Sequence, residues 1–167
     1  AHPSPDSLCR ALTGRVEAGL RAAGHDVDTV DLYALGFRAA MSVEERRAYH
    51  GDEPIIDAVV AEHAELVSNA EIVAFVYPNW WSSLPAVLQG WLERVLVPGV
   101  AFRFDDAGKV RPALTQVRHI VGVCTYGSPR WYVRLVNDNG RRVLTRAMRL
   151  NCGLRVRRHW YGLYGVD

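Results

Sequence analysis

Two short apolar runs constrain this chain more than any other feature. Ile72-Val73-Ala74-Phe75-Val76-Tyr77 is stopped by Pro78, and His119–Cys124 repeats the pattern further on. Runs this short, rich in branched side chains and lacking a polar face, read as strands buried on both sides. The stretches around them carry the helical period. Leu8, Leu12, Val16 and Leu20 form a stripe over residues 7–23, and Gly24 ends it. Val59, Val60, His63, Leu66 and Val67 form one face of a helix opened by Pro54, and residues 41–50 read as a short exposed helix. Leu84, Val87, Leu88, Trp91, Leu92, Val95 and Leu96 mark a helix ended by Pro98-Gly99. Residues 100–116 are expected to be irregular, turning at 106–109. A further helix is expected over 138–151, with Val143, Leu144, Ala147, Met148 and Leu150 inward and Arg141, Arg142, Arg146 and Arg149 on the wet side. Val27 and Val30, followed by Leu32, suggest a short strand running into the Asp31–Phe37 loop, and a last strand is expected at about 154–162. Alternation of buried strands with amphipathic helices predicts an α/β fold built on a parallel sheet.

Composition narrows the function classes. The chain has 167 residues, a length that favours one domain. Its 20 basic and 18 acidic residues leave a formal charge of +2, too balanced to point to nucleic acid or anionic lipid. Cys9, Cys124 and Cys152 match no zinc spacing and read as reduced thiols in a cytoplasmic protein. The histidines likewise match no ligand spacing, so no metal site is expected. His63, on an apolar face, reads as a hydrogen-bonded interior histidine, and Glu93 and Arg94 as helix surface or interface charges. The chain opens at Ala1-His2-Pro3 without a leading strand, and the expectation is a single domain spanning 1–167, trimmed at both ends, with apolar residues upstream.

In an open parallel sheet, ligands bind beyond the carboxyl ends of the strands. Three loops fall there. Residues 1–9 run into a helix start, where free N–H groups and the dipole favour a phosphate; Ser4 and Ser7 add hydroxyls, although Asp6 or Ser7 can equally be a plain cap. Pro78-Asn79-Trp80-Trp81-Ser82-Ser83 places two tryptophans after a buried strand, either as a wall for a planar ligand or as a core cap and an interface residue. Thr125-Tyr126-Gly127-Ser128-Pro129-Arg130-Trp131-Tyr132 adds close backbone approach at Gly127, two phenols and a cation; the bland reading is a turn with surface aromatics. Neither a Walker loop nor a GxGxxG fingerprint is present.

The residues His2-Pro3-Ser4-Pro5-Asp6-Ser7, Asp31-Leu32-Tyr33-Ala34-Leu35-Gly36-Phe37 and Tyr77-Pro78-Asn79-Trp80-Trp81-Ser82-Ser83-Leu84-Pro85-Ala86, followed by Gln89–Leu96 and Pro98–Phe102, resemble the flavodoxin-like NAD(P)H:quinone oxidoreductase family. The resemblance covers residues 1 to about 132 and is looser beyond. It implies a three-layer flavodoxin-like fold with a parallel sheet in the order 2-1-3-4-5, of which the first strand is missing from the sequence. It implies a bound flavin, FMN or FAD. His2, Ser7, Leu8 and Cys9 would line its ribityl and phosphate side, Pro78, Asn79, Trp80 and Trp81 its ring system, and Thr125, Tyr126, Gly127 and Ser128 its pyrimidine edge. Tyr126, Gly127 and Tyr132 are the catalytic candidates. The family more often has an aromatic residue at the place of Leu8, asparagine at that of Cys9, and Thr-Thr-Gly-Gly at 125–128.

The resemblance implies a homodimeric enzyme that takes a hydride from NAD(P)H onto the flavin and delivers it to a quinone-like acceptor by a ping-pong route. The alternatives are a flavodoxin-type electron carrier, which the +2 charge argues against, and a flavin-binding regulatory subunit of a membrane potassium-efflux system.

Overall fold

The computed structural model describes residues 1–166. Its central sheet has three parallel strands, β1 (Ile72–Pro78), β4 (His119–Tyr126) and β5 (Arg157–Tyr164), in the order β1-β4-β5. The ladders run from Ile72↔His119 to Pro78↔Thr125 and from His119↔Arg157 to Tyr126↔Tyr164. The two apolar runs are thus neighbouring strands in register, and β5 starts and stops later than expected from the sequence.

The buried face of the sheet presents Phe75, Tyr77, Ile120, Cys124 and Tyr126. Gly122 has no side chain because the Trp160 ring of β5 lies across it; a Cβ there would collide with that ring. Helices α3 (Ala58–Asn69) and α4 (Ala86–Val95) cover the β1 side, with Trp91 edge-on to Phe75. His63 is buried and accepts a 3.3 Å hydrogen bond at Nδ1 from Trp91 Nε1, as its place on an apolar face predicts. In α3 the stripe is Val60, His63, Ala64 and Val67, capped by Asp57; Val59, expected inside, is largely exposed.

Leu144, Met148 and Cys152 come from a helical stretch formed by α6 (Asn139–Arg142), a π-helical turn (Val143–Ala147) and α7 (Met148–Cys152). The expected single helix is therefore interrupted. The wider π turn shifts the phase of the residues after it, so Leu150 faces solvent at 65% exposure although the 3.6-residue period puts it inside. Arg149 is turned back to donate to Leu154 O at 2.7 Å.

Among the described residues, the helix on the opposite face is α1 (Leu8–Ala22). Gly24, at φ +86°, ends this helix as expected. Among the described residues, Val27–Asp31 makes no ladder and Leu32 already lies in a turn, contrary to the short strand expected there. A groove of about 630 Å³ separates this segment from β1, with apolar Leu20, Val30 and Phe75 and acidic Asp26, Asp28 and Glu62 among its lining residues. The separation removes the hydrogen-bond partner that a strand at 27–32 requires. The α1 stripe is half-covered, with Leu12, Val16 and Leu20 partly buried and Leu8 exposed, and the helix's one buried residue is Cys9, outside the stripe.

Residues 100–116, expected to be irregular, contain an antiparallel hairpin of β2 (Phe102–Phe104) and β3 (Val110–Pro112). Asp105 holds its turn by accepting from the N–H groups of Ala107 and Lys109. A short helix absent from the sequence reading, α5 (Arg130–Leu135), follows β4.

Arg94 corrects the surface reading most sharply. Its side chain is only 2% exposed. Nε donates to Glu45 at 2.7 Å, Nη2 to Asp57 at 2.8 Å and Nη1 to Arg38 O, fastening α2 (Val43–Ala48) and the start of α3 to α4. Burial works to raise the Glu45 and Asp57 carboxyls, but N–H donors from Ser42, Val59 and Val60 together with Arg94 outweigh it and hold both below the usual carboxylate range. That stability is present above the unfolded carboxylate values and is lost as pH falls through the lower folded ones. Arg94→Met removes the buried cation and leaves Glu45 and Asp57 only the half-exposed Arg38, 2.9 and 3.7 Å away, so about 3 kcal/mol of unfolding free energy should disappear in urea at pH 7. The deficit should shrink on acidification, because the same carboxylates are then protonated in both proteins. A deficit independent of pH would contradict this assignment.

Candidate functional site

Parallel register puts the carboxyl ends of β1 and β4 side by side, Pro78 opposite Thr125. The ladder continues one step beyond β1, where Asn79 N–H donates to Thr125 O at 2.8 Å. The chain then reverses in a tight turn closed by mutual bonds between Trp80 and Ser83, with Trp81 and Ser82 in the left-handed region at φ 50° and 57°. Side chains rarely adopt that conformation without compensation. Its result is that Trp81 stands fully in solvent and Trp80 is 40% exposed, so neither indole caps the core. The His2 ring packs against Trp80 with centroids 5.8 Å apart.

The first loop meets the third through Cys9. This residue is buried in the first turn of α1, and its Sγ lies 3.3 Å from Oγ1 of the buried Thr125. Ser7 is the N-cap of α1 and accepts from Arg10 N–H, as the plain capping reading predicts, while Leu8 stays 42% exposed beside it. The backbone nitrogen of Ala1 donates to Val76 O at 2.6 Å, which brings residues 1–2 against the end of β1.

Tyr126 points inward. It is 1% exposed, stacks on Tyr164 with centroids 4.6 Å apart, and donates its hydroxyl to both carboxylate oxygens of Asp138 at 3.0 and 3.1 Å. Its hydroxyl is therefore spent inside the fold, and what it presents to the loop is backbone. Gly127 is exposed and Ser128 half-buried. Tyr132 and Trp131 lie on α5, exposed and packed edge to face on each other. Burial pushes the Cys124 thiol up to about 12 and raises the Tyr77 and Tyr126 phenols far above their ordinary value, so none of the three ionises at neutral pH.

Asp138 is the site residue the sequence reading missed. Burial raises its carboxyl, against the lowering effects of the Tyr126 hydroxyl and Arg141. Its one sequence signal was the turn-forming run Asn137-Asp138-Asn139-Gly140 before a helical stripe.

The arrangement joins an exposed aromatic wall, the start of the 15-residue helix α1 and a turn with exposed backbone at Gly127 along one sheet edge. At the root of the wall, the Nδ2 of Asn79 is buried without a partner, a donor left over for a group outside the chain. These features fit a planar heterocycle carrying a phosphate, and a flavin has that shape.

Fold and site define a flavodoxin-like protein, and the chain belongs to the family described as flavodoxin-like fold, whose model matches residues 1–160. It is 33% identical over 111 residues to an uncharacterized NAD(P)H oxidoreductase of Haemophilus influenzae, covering 66% of this chain and 54% of that protein. It is 32% identical over 149 residues to NAD(P)H dehydrogenase [quinone] 1 of Rattus norvegicus, covering 79% of this chain and 53% of that protein. The chain thus spans about half the length of these two relatives. Among solved structures, the NAD(P)H:quinone oxidoreductase from Methanothermobacter marburgensis superposes with a TM-score of 0.83 at 28% identity, over 100% of this chain and 84% of that one. Among the described residues, no helix is long and apolar enough to cross a membrane.

The Tyr126–Asp138 pair makes a direct prediction. Tyr126→Phe removes the hydroxyl and leaves a buried carboxylate without its donor, a cost of about 1–3 kcal/mol in urea unfolding. Tyr132→Phe, altering an exposed phenol, should stay within about 0.5 kcal/mol of the parent. Equal effects would contradict the burial described here.

Proposed function

We propose that this chain binds a flavin, FMN or FAD, at the carboxyl edge of β1 and β4 and serves as an NAD(P)H oxidoreductase with a quinone-like acceptor. The observation that carries the reading is the exposed indole pair, held in a left-handed turn beside the start of α1 and the 125–128 loop. A bound flavin supplies the two-electron chemistry. The free N–H groups of the first α1 turn, with Ser7 as cap, would hold the phosphate; His2, Leu8 and Cys9 would line that side. Pro78, Asn79, Trp80 and Trp81 would flank the rings, with the unpartnered Asn79 amide donating to a ring heteroatom. The backbone at Thr125, Tyr126, Gly127 and Ser128 would face the pyrimidine edge and stabilise negative charge there. Tyr132 is exposed and open to a substrate, whereas the Tyr126 hydroxyl is already committed.

A single open face predicts that donor and acceptor use the same surface in turn, giving ping-pong kinetics. The exposed apolar side chains of Trp131 and Leu135 on α5 support a homodimer that covers them. The three buried thiols, all free, accord with a cytoplasmic setting.

Purified protein supplied with FMN or FAD should show a flavin spectrum that bleaches in one two-electron step on adding NADH or NADPH without oxygen, and recovers on adding a quinone. A protein that stays colourless after reconstitution overturns the proposal. Trp81→Ala should weaken flavin binding about tenfold by removing one wall, read as the dissociation constant from flavin fluorescence. Thermal stability should be unchanged, because the indole touches solvent on all sides.

A further inference from the structure

We infer that Asp138 is a positioning residue which, through the Tyr126 hydroxyl, holds the turn that fixes the pose of the Trp80-Trp81 wall. Among the described residues, the non-glycine positions with positive φ are Trp81, Ser82, Asn137 and Asp138. They form two left-handed pairs, and the pairs face each other: Asn139 N–H donates to Ser82 O at 3.0 Å. Left-handed conformations of this kind persist where surrounding contacts over-determine them. For the 137–138 turn, that contact is the buried carboxylate gripped by Tyr126 at 3.0 and 3.1 Å. Asp138 is only 9% exposed; its carboxylate also feels the Arg141 N–H and the Arg141 and Arg142 charges at the start of α6, but its close hydrogen-bond partner is the Tyr126 hydroxyl.

Close packing transmits the position. A Cβ at Gly140 would come within 3.1 Å of Leu84 N, Ser83 C and Tyr77 Oη, which means the start of α6 rests directly on the backbone that leaves the tryptophan turn. Tyr126 is the last residue of β4, immediately before Gly127-Ser128. One carboxylate therefore joins both loops, the 125–128 backbone through Tyr126 and the 80–83 turn through Asn139. The effect of this assembly is to set two surfaces at a fixed separation before anything binds. The inference rests on the flavin reading of those surfaces, although the clamp itself is a property of the free chain.

The test uses the full chain labelled with 5-fluorotryptophan, the Trp80 and Trp81 resonances assigned by single Trp→Phe replacements, together with FMN titration. Tyr126→Phe and Asp138→Leu should each move or broaden the Trp81 resonance and raise the FMN dissociation constant about tenfold. Asp138→Asn keeps an acceptor oxygen for the Tyr126 hydroxyl and should restore both readouts to near the parent values. Should Asp138→Leu fail to fold, Tyr126→Phe, which keeps ring and carboxylate, decides alone. Folded variants with an unchanged Trp81 signal and unchanged FMN affinity overturn the inference, as does failure of Asp138→Asn to restore either. A parent chain that binds no flavin, yet whose Trp81 resonance moves in Tyr126→Phe, retires the flavin reading and leaves the clamp standing.

Discussion

The parallel ladder between β1 and β4 is the constraint on which everything else rests. Because the two strands run in the same direction and in register to Pro78↔Thr125, both deliver their following loops to one edge. Ladder bonds are backbone bonds, so this placement does not depend on any one side chain. The side chains then differentiate the two exits. After β1 a left-handed turn throws the indoles outward, and after β4 Tyr126 turns inward onto Asp138. The Cys9–Thr125 contact completes the set by docking the start of α1 on the same edge.

What was legible in the sequence came from periodicity. Ile72–Tyr77 and His119–Cys124 are strands because short branched runs have few alternatives, and the α4 stripe is buried almost as read. His63 was legible too, since a lone histidine on an apolar face needs an internal partner and Trp91 provides it. Strands at 27–32 and helical phase beyond residue 143 were not. The first depends on a neighbour that the described residues do not supply, and the second on a π turn that changes the period without changing the composition. Arg94 was misread for a related reason. Its partners Glu45 and Asp57 lie far back in the chain, and no local pattern announces a charge that will be buried with them.

For the site, the three loops were found but not the division of labour among their residues. A tyrosine beside a glycine at the end of a strand looks like a donor to a ligand until its alternation on the strand is traced: Ile120, Gly122, Cys124 and Tyr126 share the core face. Asp138 lay outside the loops considered and entered only through its bond to Tyr126. The chain thus separates two tasks. Outward residues such as Trp80, Trp81 and Gly127 offer surface, and inward ones such as Thr125, Tyr126 and Asp138 hold that surface still, as preorganised sites require.

The central claim is that one edge of the sheet holds a flavin, and amide hydrogen exchange with and without FMN tests its location directly. The account predicts slowed exchange confined to the first turn of α1, residues 79–83 and residues 125–128, with β2, β3 and α7 unaffected. Unchanged exchange in those three segments at saturating FMN, or protection centred instead on the groove between residues 27–32 and β1, would contradict it.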